Sequence, residues 1–88
     1  MLQKLRKALL EGKTISLIRY RSTDLSEHQF SFVYEFSERR YRLSERYEGD
    51  LVQEDYHDLE VVEILIEWLL RLRFEANIIT NNTTTREQ

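Results

Sequence analysis

Residues 58–76, DLEVVEILIEWLLRLRFEA, are apolar at most positions, and they limit the possible folds more than any other stretch of the chain. At about 100° per residue of an α-helix, the charges on one side fall within an arc of about 120°. These are Glu60, Glu63, Glu67, Arg71 and Glu75. Apolar side chains cover most of the remaining circumference, about twice the stripe that a surface helix buries. The helix predicted over these residues therefore needs two covering surfaces.

Alternating patterns upstream predict a sheet that supplies one of these surfaces. Residues 29–37, QFSFVYEFS, alternate strictly between two faces, which predicts a half-buried strand. Residues 13–21 are rich in β-branched and aromatic side chains and predict another strand. A turn at about 37–40 leads into a third strand over 40–47, which completes a hairpin. The core side chains expected from these strands are Phe30, Phe32, Tyr34, Phe36 and Leu43.

The order of these elements predicts an α+β fold of αβββα order. Residues 1–79 are expected to form one domain, a three-stranded antiparallel sheet with one face covered by a short N-terminal helix and the long C-terminal helix. Leucines at helical spacing over residues 2–11, followed by Gly12, predict the short helix. The last stretch, residues 80–88, is polar and of low complexity, and we expect a disordered tail.

Composition argues against several classes of protein. The 88 residues suffice for one small core, and the chain has no cysteine for disulfides or thiolate metal sites. His28 and His57 lack companions at metal-ligand spacing, and Gly12 and Gly49 form no phosphate-binding loop, so we expect no metal and no cofactor. Charges interrupt the apolar segments, which predicts neither a signal peptide nor a membrane span. A cytoplasmic protein is expected.

A catalytic set is hard to assemble from this sequence. His57 stands beside Asp55 and Asp58, which would suit a base with an orienting acid, but no nucleophile accompanies them. The alternative is that His57 lies at the start of the long helix, with Asp58 as its N-cap. We favour that alternative and expect a protein that is not an enzyme.

Charge is distributed unevenly along the chain. From residue 1 to residue 46 there are ten Lys and Arg against six Asp and Glu, whereas residues 45–67 hold nine carboxylates and one Arg. An acidic segment in a small domain suits a basic protein partner, and the layout is similar to that of small phage and mobile-element inhibitors that occupy nucleic-acid-binding clefts. The alternative is a solvated loop and helix start. The carboxylates expected to bind are Glu48, Asp50, Glu54, Asp55 and Asp58.

A basic strand face supports a different interpretation, the binding of nucleic-acid phosphates. The arginines that share one face of the third predicted strand are Arg40, Arg42 and Arg46. Arg19 and Arg21 alternate in the same way on the first strand and would extend this face. The alternative is that these arginines pair with Glu35 and keep an open sheet face solvated. We favour the pairing and do not expect nucleic acid as a partner.

The αβββα order resembles that of double-stranded RNA-binding domains, over residues 2–74. The resemblance is one of element order. In that family a lysine-rich start to the last helix contacts phosphates, whereas the corresponding stretch here reads HDLEVVE. The charge is reversed where the contact would form, so the resemblance implies a fold and not RNA binding.

The second surface that covers the long helix is either the helix at residues 2–11 or another chain. The first helix offers few apolar side chains and is expected to cover only part. Trp68 and Leu72 lie one turn apart, and a large aromatic beside a leucine is typical of an interface centre. We therefore predict a two-fold homodimer with Arg73 at the rim. The alternative is a central helix in a compact monomer.

Overall fold

The computed structural model describes residues 2–80, which contain two helices and five strands. The helices are α1 (Leu2–Leu10) and α2 (Leu59–Arg71). The strands are β1 (Thr14–Tyr20), β2 (Glu27–Glu35), β3 (Arg40–Tyr47), β4 (Asp50–His57) and β5 (Glu75–Ile79). The predicted α+β class is confirmed. Apart from Thr80, the predicted tail over 80–88 lies outside the described residues.

All five strands belong to one antiparallel sheet of order β4-β3-β2-β1-β5. Strands β1 to β4 follow one another in space as they do in sequence. Helix α2 then carries the chain back across the sheet, and β5 pairs with β1 at the far edge. The prediction of three strands is therefore wrong, because two edge strands flank the three that the sequence patterns indicate.

Strand β4 escapes sequence analysis because it has no buried face. Its residues from Asp50 to Tyr56 are all exposed, so no alternation of apolar and polar side chains marks it as a strand. Glu48 and Gly49 form the two-residue turn before it, with φ of 53° and 87°. Positive φ at both central positions is characteristic of the two-residue turns that join neighbouring antiparallel strands. Residues 50–57 of the acidic segment thus form the outer strand of a hairpin and not a solvated loop.

Helix α2 ends five residues earlier than predicted, and Arg73 is the reason. Arg73 has φ of 73°, in the left-handed region. Its N–H donates to the carbonyl of Leu70 at 3.1 Å, and the N–H of Phe74 donates to the carbonyl of Leu69 at 3.0 Å. This pair of bonds is the Schellman helix end, which usually has glycine at the left-handed position. Because an arginine stands there, the sequence gives no stop signal, and the helix predicted over 58–76 overlaps the first residues of β5.

Both helices pack against one face of the sheet and build a single core. Helix α1 contacts β1 and β2, and α2 contacts β3. Residue Phe32, which pairs with Ile15 on one side and Leu43 on the other, lies at its centre and is fully buried. The buried apolar residues are Leu5, Ala8, Leu9, Ile15, Leu17, Phe32, Tyr41, Leu43, Val62, Ile66, Leu69 and Phe74.

The predicted core is right in its centre and wrong at one end. Phe32 and Leu43 are buried as expected, and Phe30 and Tyr34 are partly buried and pack against the core. Phe36 is 82% exposed, which contradicts the prediction. Strand β2 ends one residue before it, so Phe36 opens the turn to β3 and leaves the inner face of the sheet.

Helix α1 lies beside one side of α2 only. Arg6 Nε of α1 is 2.6 Å from Glu63 Oε2 of α2, and the two helices contact each other on that side. Ion pairs at such exposed positions contribute little free energy, so this pair mainly marks which side α1 occupies. Within residues 2–80, neither helix has the length and apolar composition that crossing a membrane requires.

Candidate functional site

The side of α2 turned away from α1 keeps an apolar surface in contact with solvent. Trp68 is 63% exposed and Leu72 49% exposed, and Val61 is exposed beside them, while Leu65 is half-buried. At about 100° per residue these four side chains share one side of the helix, which we call the α2 flank. Sequence analysis singled out Trp68 and Leu72 for this property, and the fold leaves both uncovered.

The α2 flank borders a groove between the helix and the sheet. The groove has a volume of about 170 Å³ and a lining that is apolar throughout. Side chains at spacings of three and four along α2 form one wall, and inward-facing side chains of β2 and β3 form the other. The lining residues are Phe30, Phe32, Leu43, Leu65, Trp68, Leu69 and Leu72. The fold thus brings both predicted self-association residues to the rim of one apolar groove.

The five acidic residues predicted to bind a partner are all exposed, but they do not share one face. Neighbouring residues in a strand point to opposite faces, so Glu54 and Asp55 lie on different sides of β4. Glu54 faces the open side, where its carboxylate accepts a hydrogen bond from the Ser44 hydroxyl at 3.3 Å. Asp50 opens β4, and Glu48, in the turn before it, accepts a bond from the backbone N–H of Glu27 at 2.9 Å.

The N-terminal end of α2 holds the remaining predicted carboxylate. Asp58 is the N-cap residue, as expected, although its side chain makes no capping hydrogen bond. Its Oδ1 lies 3.7 Å from Nε of Arg40 instead. The acidic segment therefore forms a solvent-facing rim along one edge of the molecule, and its carboxylates are presented from both faces of that edge.

The arginines of β3 are largely engaged by carboxylates. Arg42 forms an ion pair with Glu35 on the neighbouring strand, as the favoured alternative expected, and its Nε lies 3.8 Å from Glu54. Arg46 lies on the same face, in register with Gln29. The open face of the sheet is therefore a mixed-charge surface.

Arg19 does not extend that face. Its side chain lies on the helix side of the sheet, where Nη1 donates to the carbonyl of Leu72 at 2.8 Å and the guanidinium stacks 4.6 Å from the ring centre of Phe74. Arg21 follows β1 and donates to the Tyr47 hydroxyl at 2.9 Å. The interpretation in which both arginines join Arg42 is thus wrong, because odd-numbered residues of β1 face the helices.

His28 lines a polar cleft, whereas His57, the histidine considered as a base, does not. His57 ends β4, in register with Tyr41, whose pKa is raised by burial. His28 Nε2 lies 2.7 Å from Glu45 Oε2, across the β2–β3 pair. The signal for His28 was available, since it alternates in phase with Phe30 and so had to face the helices. Among residues 2–80, no group of three or more His, Cys, Asp or Glu side chains is placed to hold a metal ion.

Comparison of the chain with protein-family models, with curated proteins and with solved structures gives no match in any of the three.

Proposed function

We propose that this protein is a non-enzymatic interaction module, and that its first partner is a second copy of itself, docked through the α2 flank. The observation that carries the proposal is the uneven covering of α2: α1 lies on one side, while Trp68 and Leu72 on the other side remain exposed next to an apolar groove. Contiguous apolar surfaces of this kind are uncommon on proteins that act alone.

The spacing of the α2 flank favours a second helix as its occupant. Val61, Leu65, Trp68 and Leu72 are separated by four, three and four residues, which is the repeat by which two helices pack along a common seam. In an antiparallel pair with the two-fold axis between Leu65 and Trp68, each Trp68 would pack near the other copy's Leu65. The same symmetry would place Val61 near Leu72.

Charge supports the antiparallel orientation. Helix α2 begins with Asp58 and Glu60 and ends with Arg71 and Arg73, so an antiparallel pair brings the basic end of one copy to the acidic start of the other. Opposed helix dipoles add to this complementarity. A parallel arrangement would bring like charges together at both ends. The occupant that these observations favour is therefore another copy of this chain.

The single tryptophan offers a direct test, because it lies on the proposed interface. If the copies dock through the α2 flank, Trp68 passes from solvent into an apolar contact as the protein concentration rises. Its fluorescence emission should then move to shorter wavelength along a saturable curve. The variant Leu72→Lys should keep the emission of an exposed tryptophan at every concentration.

The matched control is Leu10→Lys. Leu10 is 60% exposed and lines a second cleft together with Tyr34 and Phe36. This variant adds the same charge and should leave the concentration-dependent shift intact. Emission that does not change with concentration would contradict the dimer, and so would loss of the shift in Leu10→Lys together with its retention in Leu72→Lys.

The acidic rim is a second candidate site, for a basic protein partner such as a nucleic-acid-binding protein. The observation that favours it is the position of β4, an edge strand of the sheet that presents Glu54 on one face and Asp55 on the other. The role of an acidic inhibitor from a phage or mobile element would use this rim. Association should weaken as salt rises, and alanine at Glu54, Asp55 and Asp58 should abolish it without unfolding the domain. Binding that is insensitive to both changes would contradict this role.

A further inference from the structure

A polar cleft lies where β1 leads into β2, separate from the α2 flank. Its volume is about 330 Å³, near the lower end of the range for small-molecule sites. The lining combines two guanidinium groups, three aromatic rings and hydroxyl groups. The lining residues are Arg19, Tyr20, Arg21, Ser22, Ser26, His28 and Tyr47. Neither the dimer nor the acidic rim uses this cleft.

The guanidinium of Arg19 is held in place from one side. One N–H donates to the carbonyl of Leu72 at the end of α2, and the plane stacks on Phe74. This bond uses one of the five N–H donors of an arginine. The contacts therefore fix the orientation of the group while it lines the cleft, so a ligand does not have to immobilise a freely rotating side chain.

The guanidinium of Arg21 is positioned by a chain of hydroxyl groups. Its Nη2 donates to the Tyr47 hydroxyl at 2.9 Å, and that hydroxyl donates to the buried Ser26 Oγ at 3.1 Å. The backbone N–H of Ser26 also donates to Asp24 Oδ1 at 3.0 Å. This bond stabilises the loop between β1 and β2. The two arginines thus reach the same cleft from alternate positions at the end of β1.

The carboxylates around the cleft already have partners. Asp24 Oδ2 lies 3.9 Å from Arg21, and its pKa is lowered by the hydrogen bonds from Ser26 and by that arginine. Glu45 lies against His28 at 2.7 Å. None of the residues that line the cleft is itself acidic. The lining therefore offers hydrogen-bond donors and positive charge to a ligand.

We propose that this cleft binds a small phosphate-bearing molecule, with the phosphate seated between Arg19 and Arg21. Arginine is suited to this role because its planar fork makes paired hydrogen bonds to phosphate oxygens. Serine and tyrosine hydroxyls lie beside the two forks, and the aromatic ring of Tyr47 provides a wall for the rest of the molecule. A nucleic acid would need a longer track of cations than these two arginines provide.

The test is a titration of isotope-labelled full-length protein with inorganic phosphate, followed by nuclear magnetic resonance. The solution is kept at about 0.15 M ionic strength with sodium chloride, so that unspecific charge effects stay constant. The backbone amides of residues 19–28 and Tyr47, and the side-chain Nε–H groups of the two arginines, should shift along a saturable curve. The rest of the sheet should shift little.

Variants identify the groups responsible. Arg21→Gln removes one fork from an exposed side chain and should weaken phosphate binding at least about tenfold. Arg19→Lys keeps the charge, loses the fork and should weaken it as well. The control is Arg46→Gln, which makes the same change of net charge on the open face of the sheet and should leave binding unchanged.

Three results would overturn the proposal. One is the absence of saturable shifts at this ionic strength, and another is equal binding by the wild type and Arg21→Gln. The third is tighter binding of a short single-stranded oligonucleotide that Arg46→Gln weakens as much as Arg21→Gln does, which would indicate a diffuse nucleic-acid surface. Phosphate binding rests on the side chains of Arg19 and Arg21, and dimer formation on those of Trp68 and Leu72. Arg19 contacts Leu72 through its backbone carbonyl, which every substitution at residue 72 keeps, so failure of either proposal leaves the other standing.

Discussion

At the scale of single residues, the conformation of Arg73 decides how the last third of the chain folds. An L-residue other than glycine pays roughly 1–2 kcal/mol for the left-handed region. Here the left-handed conformation of Arg73 ends α2 and turns the chain, so that Phe74 enters the core and β5 reaches β1. The core contacts of Phe74 and the pairing of β5 offset the strain.

Replacing Arg73 with glycine should therefore stabilise the domain. We expect Arg73→Gly to raise the free energy of unfolding by about 1 kcal/mol, because glycine adopts positive φ without strain. Arg71→Gly, at the last residue of the helix, should lower it by up to about 1 kcal/mol. Urea denaturation at one fixed protein concentration measures both. Equal destabilisation by the two changes would mean that residue 73 is helical.

Two phenylalanines within residues 29–37 test the assignment of the inner sheet face. Phe32→Ala should lower the free energy of unfolding by about 3–5 kcal/mol, because its side chain is fully buried and a cavity remains. Phe36→Ala should change it by less than about 0.5 kcal/mol, since that side chain is exposed in a turn. Thermal melting distinguishes them, and similar losses for both would place Phe36 in the core after all.

At the scale of elements, sequence patterns predict those parts of the fold that have one buried and one exposed side. Strand β3 matches its predicted bounds, and β1 and β2 differ by one or two residues at their ends. Strand β4 carries no such contrast because both of its faces meet solvent, and β5 is five residues long and follows a helix that ends without glycine. The candidate sites differ in the same way. The excess apolar surface of α2 is predictable from its sequence pattern, whereas the contact that positions Arg19 in its cleft joins residues 53 positions apart.

Hydrogen exchange tests whether β5 belongs to the sheet. Every second backbone amide of β1 points away from β2. If β5 pairs with β1, these amides are hydrogen-bonded to β5 and should exchange slowly. The matched reference is the outer edge of β4, whose amides point away from β3 and should exchange fast. If the β1 amides exchanged as fast as those of β4, β1 would be an edge strand and β5 would not belong to the sheet.

At the scale of the whole molecule, the domain separates its surfaces by chemistry. The α2 flank is apolar, the β4 edge is acidic on both faces, and the cleft at the end of β1 is basic and polar. Each surface belongs to a different element, so each can be altered without rebuilding the core. Of the three proposed interactions, dimer formation is the one that would remove Trp68 and Leu72 from solvent.

The most direct measurement of this central claim is the mass of the protein in solution, by sedimentation equilibrium at tens of micromolar. We expect a species of about twice the chain mass of 10.8 kDa. Leu72→Lys should return the mass to that of one chain, while Leu10→Lys should not. A wild-type protein that sediments as a single 10.8 kDa chain over this range would mean that the α2 flank stays exposed in solution and that no dimer forms through it.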